Sequence, residues 1–121
     1  MVEARRGGGL DRSQLEELIE EATIDCYNEY EQAAGLFTMI EDNLQLPFTT
    51  RLLGVAVTVV AVAQDGDLDI VAVCKRKGER QRISLRDLPL PSPPPEGAEW
   101  IAAYRYWARH EWSDEEENGS R

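Results

Sequence analysis

Residues 16–31 read EELIEEATIDCYNEYE, and this stretch decides how the first half of the chain is organised. Around it apolar residues recur at Leu15, Leu18, Ile19, Ala22, Cys26, Tyr30, Ala33, Phe37, Ile40 and Leu44. That period predicts an acid-laden amphipathic helix. It starts at Asp11 or Ser13, where Ser13 followed by Glu16 fits a capping box. Gly35 kinks it or splits it in two. Pro47, in Leu46-Pro47-Phe48, ends it.

Beyond Pro47 the pattern changes to strands. Residues 49–63, TTRLLGVAVTVVAVA, are rich in β-branched side chains. Asp65-Gly66-Asp67 is a turn signal, and residues 68–75, LDIVAVCK, form a second strand. Lys77-Gly78-Glu79 turns again before a short strand over 81–85. Segment 88–95, LPLPSPPP, cannot continue a sheet and reads as an extended linker. A last helix covers about Glu96–His110, with Trp100, Ile101, Tyr104 and Trp107 at helical spacing. The expected fold is α+β: an acidic N-terminal helix and a C-terminal helix packed on a small, bent antiparallel sheet. An SH3-like barrel and an open sheet both fit. Residues 1–10, with Gly7-Gly8-Gly9, read as a flexible lead. Residues 11–112 form a single domain, and 113–121, SDEEENGSR, read as a disordered acidic tail.

The 121 residues suit one small domain, and a 42% hydrophobic fraction is enough for a packed core. The net charge of −10 argues against sequence-independent nucleic-acid binding and favours cations or basic proteins as partners. No apolar run approaches the roughly 18–20 residues of a membrane span. The first residues lack the apolar stretch of a secretory signal. The two cysteines, Cys26 and Cys74, sit in apolar patterns and read as reduced core residues of a cytoplasmic protein, expected to be a monomer. A zinc site would need more Cys or His. His110, the only histidine, suits the end of a helix. No nucleophile–base pair and no phosphate-binding glycine loop appear, so no enzyme is expected. The basic stretch 75–86, KRKGERQRISLR, reads as the counterweight to the acidic helix inside the domain.

Dense carboxylates attract hard cations, above all calcium. With residues placed about 100° apart around one helix, Glu21 lies on the open side. Asp25 falls on the border of the apolar arc and Glu29 inside it. A carboxylate on the packed side needs a partner. Three readings are open: an ion pair with an arginine such as Arg82 or Arg105, a cation site, or a rotated helix that exposes Glu29. Glu41 and Asp42 lie too far along a straight helix to share that site. They form a second site or a solvated helix end. Asp65, Asp67 and Asp69 resemble the start of an EF-hand loop, but Ile70 and Arg76 stand where Gly and Glu are required. A hairpin turn explains them, and a weak oxygen site at the same turn stays open.

The segment EEATIDCYNEYEQAAGLFTMIEDNLQLPF (20–48) resembles the signature of the CcbP-like calcium-binding proteins. The matching residues are Asp25, Tyr27, Glu31, Gln32, Gly35, Leu44, Pro47 and Phe48, and the Tyr104–Trp107 helix is also similar. The resemblance implies a non-EF-hand protein that binds calcium through surface acids and buffers or senses it. It points to Asp25 and Glu31, to the nearby Glu21, Glu29, Glu41 and Asp42, and to Asp65 and Asp67 as candidate ligands. The alternative is an acidic interaction module that docks a basic protein partner without specific metal binding.

Overall fold

The periodic run from Leu15 to Leu44 folds as two helices rather than one. The computed structural model describes residues 10–66 and 68–119. Helix α1 spans Arg12–Ala22 and α2 spans Glu29–Asn43. The division falls at residues 23–28, upstream of Gly35. The α1 N-cap is Asp11, whose carboxylate accepts from the Gln14 amide at 2.8 Å, while Gln14 Oε1 accepts from the Asp11 amide at 3.0 Å. The box is thus Asp11–Gln14, not Ser13–Glu16. At the other end, both the amide and the hydroxyl of Thr23 donate to the Ile19 carbonyl, at 2.9 and 2.7 Å. Asp25 then adopts the left-handed region, with φ of 64°, and turns the chain. Asn28 caps α2 by accepting from the Glu31 amide at 2.9 Å.

Gly35 has a different task from the expected kink. A Cβ built there would lie 2.3 Å from the Ala22 carbonyl oxygen. Only a residue without that carbon lets α2 cross the end of α1 so closely. From Ala22 to Ala33 is eleven residues, about three turns at 3.6 residues each. The apolar phase therefore survives the corner, and Leu18, Ala22, Ala33, Leu36 and Ile40 are all buried in one core.

Strands β1 (Phe48–Leu52), β2 (Val55–Asp65), β3 (Asp69–Arg76) and β4 (Glu79–Ser84) form one antiparallel sheet in the order β1-β2-β3-β4. The run 49–63 is thus two strands, divided at Leu53-Gly54. The sheet is an open meander; β1 and β4 are its edges, and no barrel closes. The β2–β3 register shifts between Val59 and Ala61, which moves the core face from Val57 and Val59 to Val62. Such a shift bends a strand. Across from these, Cys74, Ala72 and Ile70 of β3 face the same core.

Helix α3 spans Ala98–Gly119. It stays helical through most of the stretch expected as an acidic tail; residues 120–121 lie outside the described residues, as does the expected N-terminal lead up to residue 9. Gly97, with φ of 87°, passes so close to Asn43 that a Cβ would lie 2.2 Å from its carbonyl oxygen. The Arg105 side chain holds the 85–88 loop to α3 by donating to the carbonyls of Leu85, at 2.7 Å, and Leu88. Burial lowers the pKa of this guanidinium, with nearby Asp87 opposing the shift. Helix α2 packs on β2 and β3, α3 packs on α2, and α1 packs on both other helices. Among the described residues no helix is long and apolar enough to cross a membrane.

Gly35→Ala should lower stability by about 1–3 kcal/mol, the cost of overpacking a closed contact. Urea denaturation should show a lower midpoint with an unchanged slope.

Candidate metal centre

The corner between α1 and α2 gathers four of the eight candidate acids. Glu21 lies in the last turn of α1, Asp25 in the turn, and Glu29 and Glu31 in the first turn of α2. The carboxylates of Glu21 and Asp25 are exposed and make no ion pair or hydrogen bond among the described residues. The helix break removes Asp25 from the packed side where one continuous helix would have put it. Glu29 is half-buried and has a partner. Glu31 works for the fold: its Oε1 accepts from the Tyr27 amide at 2.6 Å, and its backbone carbonyl accepts from the Cys26 thiol at 3.4 Å. Glu41 and Asp42 are exposed at the far end of α2, ten and eleven residues from Glu31, or about 15 Å along the axis at 1.5 Å per residue.

The aspartates of the β2–β3 turn lie elsewhere and are differently occupied. Asp65 pairs with Arg82 at 3.9 Å, and Asp67 lies outside the described residues. Asp69 Oδ1 accepts from Ser84 Oγ at 2.8 Å and from the Tyr104 hydroxyl at 2.9 Å, and lies 3.7 Å from Arg86 Nε. Among the described residues Asp25 pairs with neither of the arginines considered for it, Arg82 and Arg105. Arg82 answers Asp65, and Arg105 answers backbone carbonyls. The basic stretch 75–86 thus meets the turn acids through Arg82 and Arg86.

A chain of side chains ties the corner to this turn. Gln32 Oε1 accepts from Trp107 Nε1 at 2.9 Å, Trp107 stacks on Tyr104 with ring centroids 6.1 Å apart, and Tyr104 reaches Asp69. The Tyr104 hydroxyl also accepts from the Ile70 amide at 3.1 Å. Burial raises the Tyr104 pKa, with the nearby Asp69 charge adding to the rise and the Ile70 amide opposing it.

Around the corner the donors are carboxylate and carbonyl oxygens, which suits a hard cation. Among the described residues, no three His, Cys, Asp or Glu side chains stand close enough to hold a metal ion as they lie. The exposed carboxylate oxygens have the chemistry of calcium ligands, but the described side chains as they lie form no closed cage.

The family described as calcium binding, CcbP type, matches residues 16–108, and the chain belongs to that family. It is a calcium-binding family, not an enzyme family. The fold is shared with the crystal structure of Anabaena CcbP at a TM-score of 0.61 and 20% identity, covering 84% of this chain and 94% of that one. It is also shared with a calcium binding protein in the calcium-binding form, at a TM-score of 0.64 and 23% identity, covering 81% of this chain and 91% of that one. No curated protein matches.

Tyr104 sets a pH limit. Its ordinary pKa of 10.0 is raised in the folded chain, so the folded state keeps a proton that the unfolded chain loses. The resulting stability is fully present below about pH 10 and is lost as pH rises further. Tyr104→Phe should be less stable near neutrality by about 1–3 kcal/mol, since Ile70 N–H loses its acceptor and Asp69 a donor. The gap between variant and parent should narrow above pH 10 in urea titrations followed by circular dichroism.

Proposed function

We propose that this chain binds calcium at the α1–α2 corner and acts as a cytoplasmic calcium buffer or sensor. One observation carries the choice of site: Glu21 and Asp25 are exposed carboxylates without a protein partner among the described residues, on the same corner as Glu29 and Glu31. The family supplies the identity of the cation. The structure of a relative in the calcium-binding form is consistent with this scaffold carrying the ion. Two free cysteines support a reducing compartment.

The dissociation constant should fall between about 10⁻⁵ and 10⁻³ M, because an open site offers fewer and looser ligands than a full cage. Glu41 with Asp42, and Asp65 of the β2–β3 turn, add separate, weaker sites. Asp65 must leave Arg82 to bind an ion, and an exposed pair of this kind costs about 0–1 kcal/mol to break.

Calorimetric titration of the metal-free protein tests this reading. Calcium should bind with a saturable isotherm and be preferred over magnesium at equal ionic strength, since magnesium demands a smaller, regular octahedron. Asp25→Asn should keep the fold, because asparagine also tolerates the left-handed conformation. It should weaken calcium roughly tenfold or more, about 1.4 kcal/mol per factor of ten. Equal response to both ions, or an unaltered Asp25→Asn isotherm, would contradict the corner as the site.

A further inference from the structure

The same corner carries apolar surface that calcium binding does not explain. Ile24, Tyr27 and Tyr30 are 72%, 87% and 51% exposed, three large apolar side chains within seven residues. Single exposed apolar residues are ordinary on a protein surface; a local group of them rimmed by polar residues marks an interaction site. These three stand on fixed backbone. The Tyr27 amide is held by Glu31 Oε1 at 2.6 Å, the Cys26 amide by the Thr23 carbonyl at 3.0 Å, and Tyr30 is the second residue of α2, in the turn capped by Asn28. A tyrosine presented on an ordered backbone loses little freedom when it is covered, which is why tyrosine serves as an interface anchor.

The charge around these rings specifies what covers them. No Lys, Arg or His occurs between Arg12 and Arg51, while Glu20, Glu21, Asp25, Glu29 and Glu31 interleave with the three apolar residues. A neutral apolar partner would strip water from these carboxylates and return nothing, which is costly. A partner bearing arginine returns bidentate hydrogen bonds to carboxylates and stacks its guanidinium on tyrosine rings.

We infer that the α1–α2 corner docks an arginine-rich segment of a partner protein that also carries apolar side chains, with Ile24, Tyr27 and Tyr30 as the contact residues. The inference goes beyond the calcium reading and does not require it. Arginine supplies on-rate and register, and the apolar contact supplies selectivity against merely cationic chains.

The probe is a fluorescently labelled peptide of alternating arginine and leucine, compared with an oligoarginine of equal charge. Both are titrated by anisotropy against the full chain in chelator at fixed ionic strength. The arginine–leucine peptide should bind at least about tenfold more tightly than oligoarginine, a difference of about 1.4 kcal/mol. A Tyr27→Ser/Tyr30→Ser variant should lose that advantage while its calcium isotherm stays that of the parent. Ile24→Ser, which leaves the α2 cap untouched, should move binding in the same direction. Equal binding of the two peptides, no binding of either, or full retention by the serine variants would overturn the inference. A protein that binds the arginine–leucine peptide selectively but shows no calcium isotherm would support docking and remove the calcium reading alone.

Discussion

The structure depends on one close approach, Gly35 of α2 against the backbone carbonyl of Ala22 at the end of α1. Any side chain at Gly35 would force the two helices apart. With them in contact, the chain must reverse within six residues, and it does so through Asp25 in the left-handed region and an Asn28 cap completed by Glu31. The same contact orients α2 so that Gln32 meets Trp107, and through Trp107 and Tyr104 the helices are joined to the β2–β3 turn. The geometry of the acids follows from a backbone constraint and not from their charges.

Charge is segregated along this frame. Arg82 and Arg86 reach the aspartates of the β2–β3 turn, so part of the basic strand region is matched within the sheet. Among the described residues, Glu21 and Asp25 at the corner have no such counterion. Attraction there is left to ions and molecules from solution, in a chain whose net charge is −10.

The α+β class, both terminal helical regions and the strand-turn-strand middle were legible because their hydrophobic periods differ. The corner was not. Eleven residues separate Ala22 from Ala33, close enough to three whole turns that the apolar phase continues straight through the break. The overlooked signal was Asn28 followed three residues later by Glu31, which has the spacing of a capping box and marks a new helix start. On a continuous helix Asp25 falls on the core border; in the turn, with φ of 64°, it is exposed. Locally Gly35 reads as a kink or a split in the helix; its role as a contact depends on a carbonyl thirteen residues away, which no local pattern reports. The tasks of Asp69 and Arg105 are equally non-local. A DxDxD string suggests ion binding, yet the third aspartate serves Tyr104 and Ser84, and Arg105 serves loop carbonyls.

The central claim is that calcium is held at the helix corner, and residue-resolved amide shifts during a calcium titration test it most directly. The account predicts that saturating shifts cluster over residues 20–32, with smaller and later changes near Glu41-Asp42 and the β2–β3 turn. Saturating shifts confined to residues 41–43 or 64–70, with the corner amides unmoved, would contradict it.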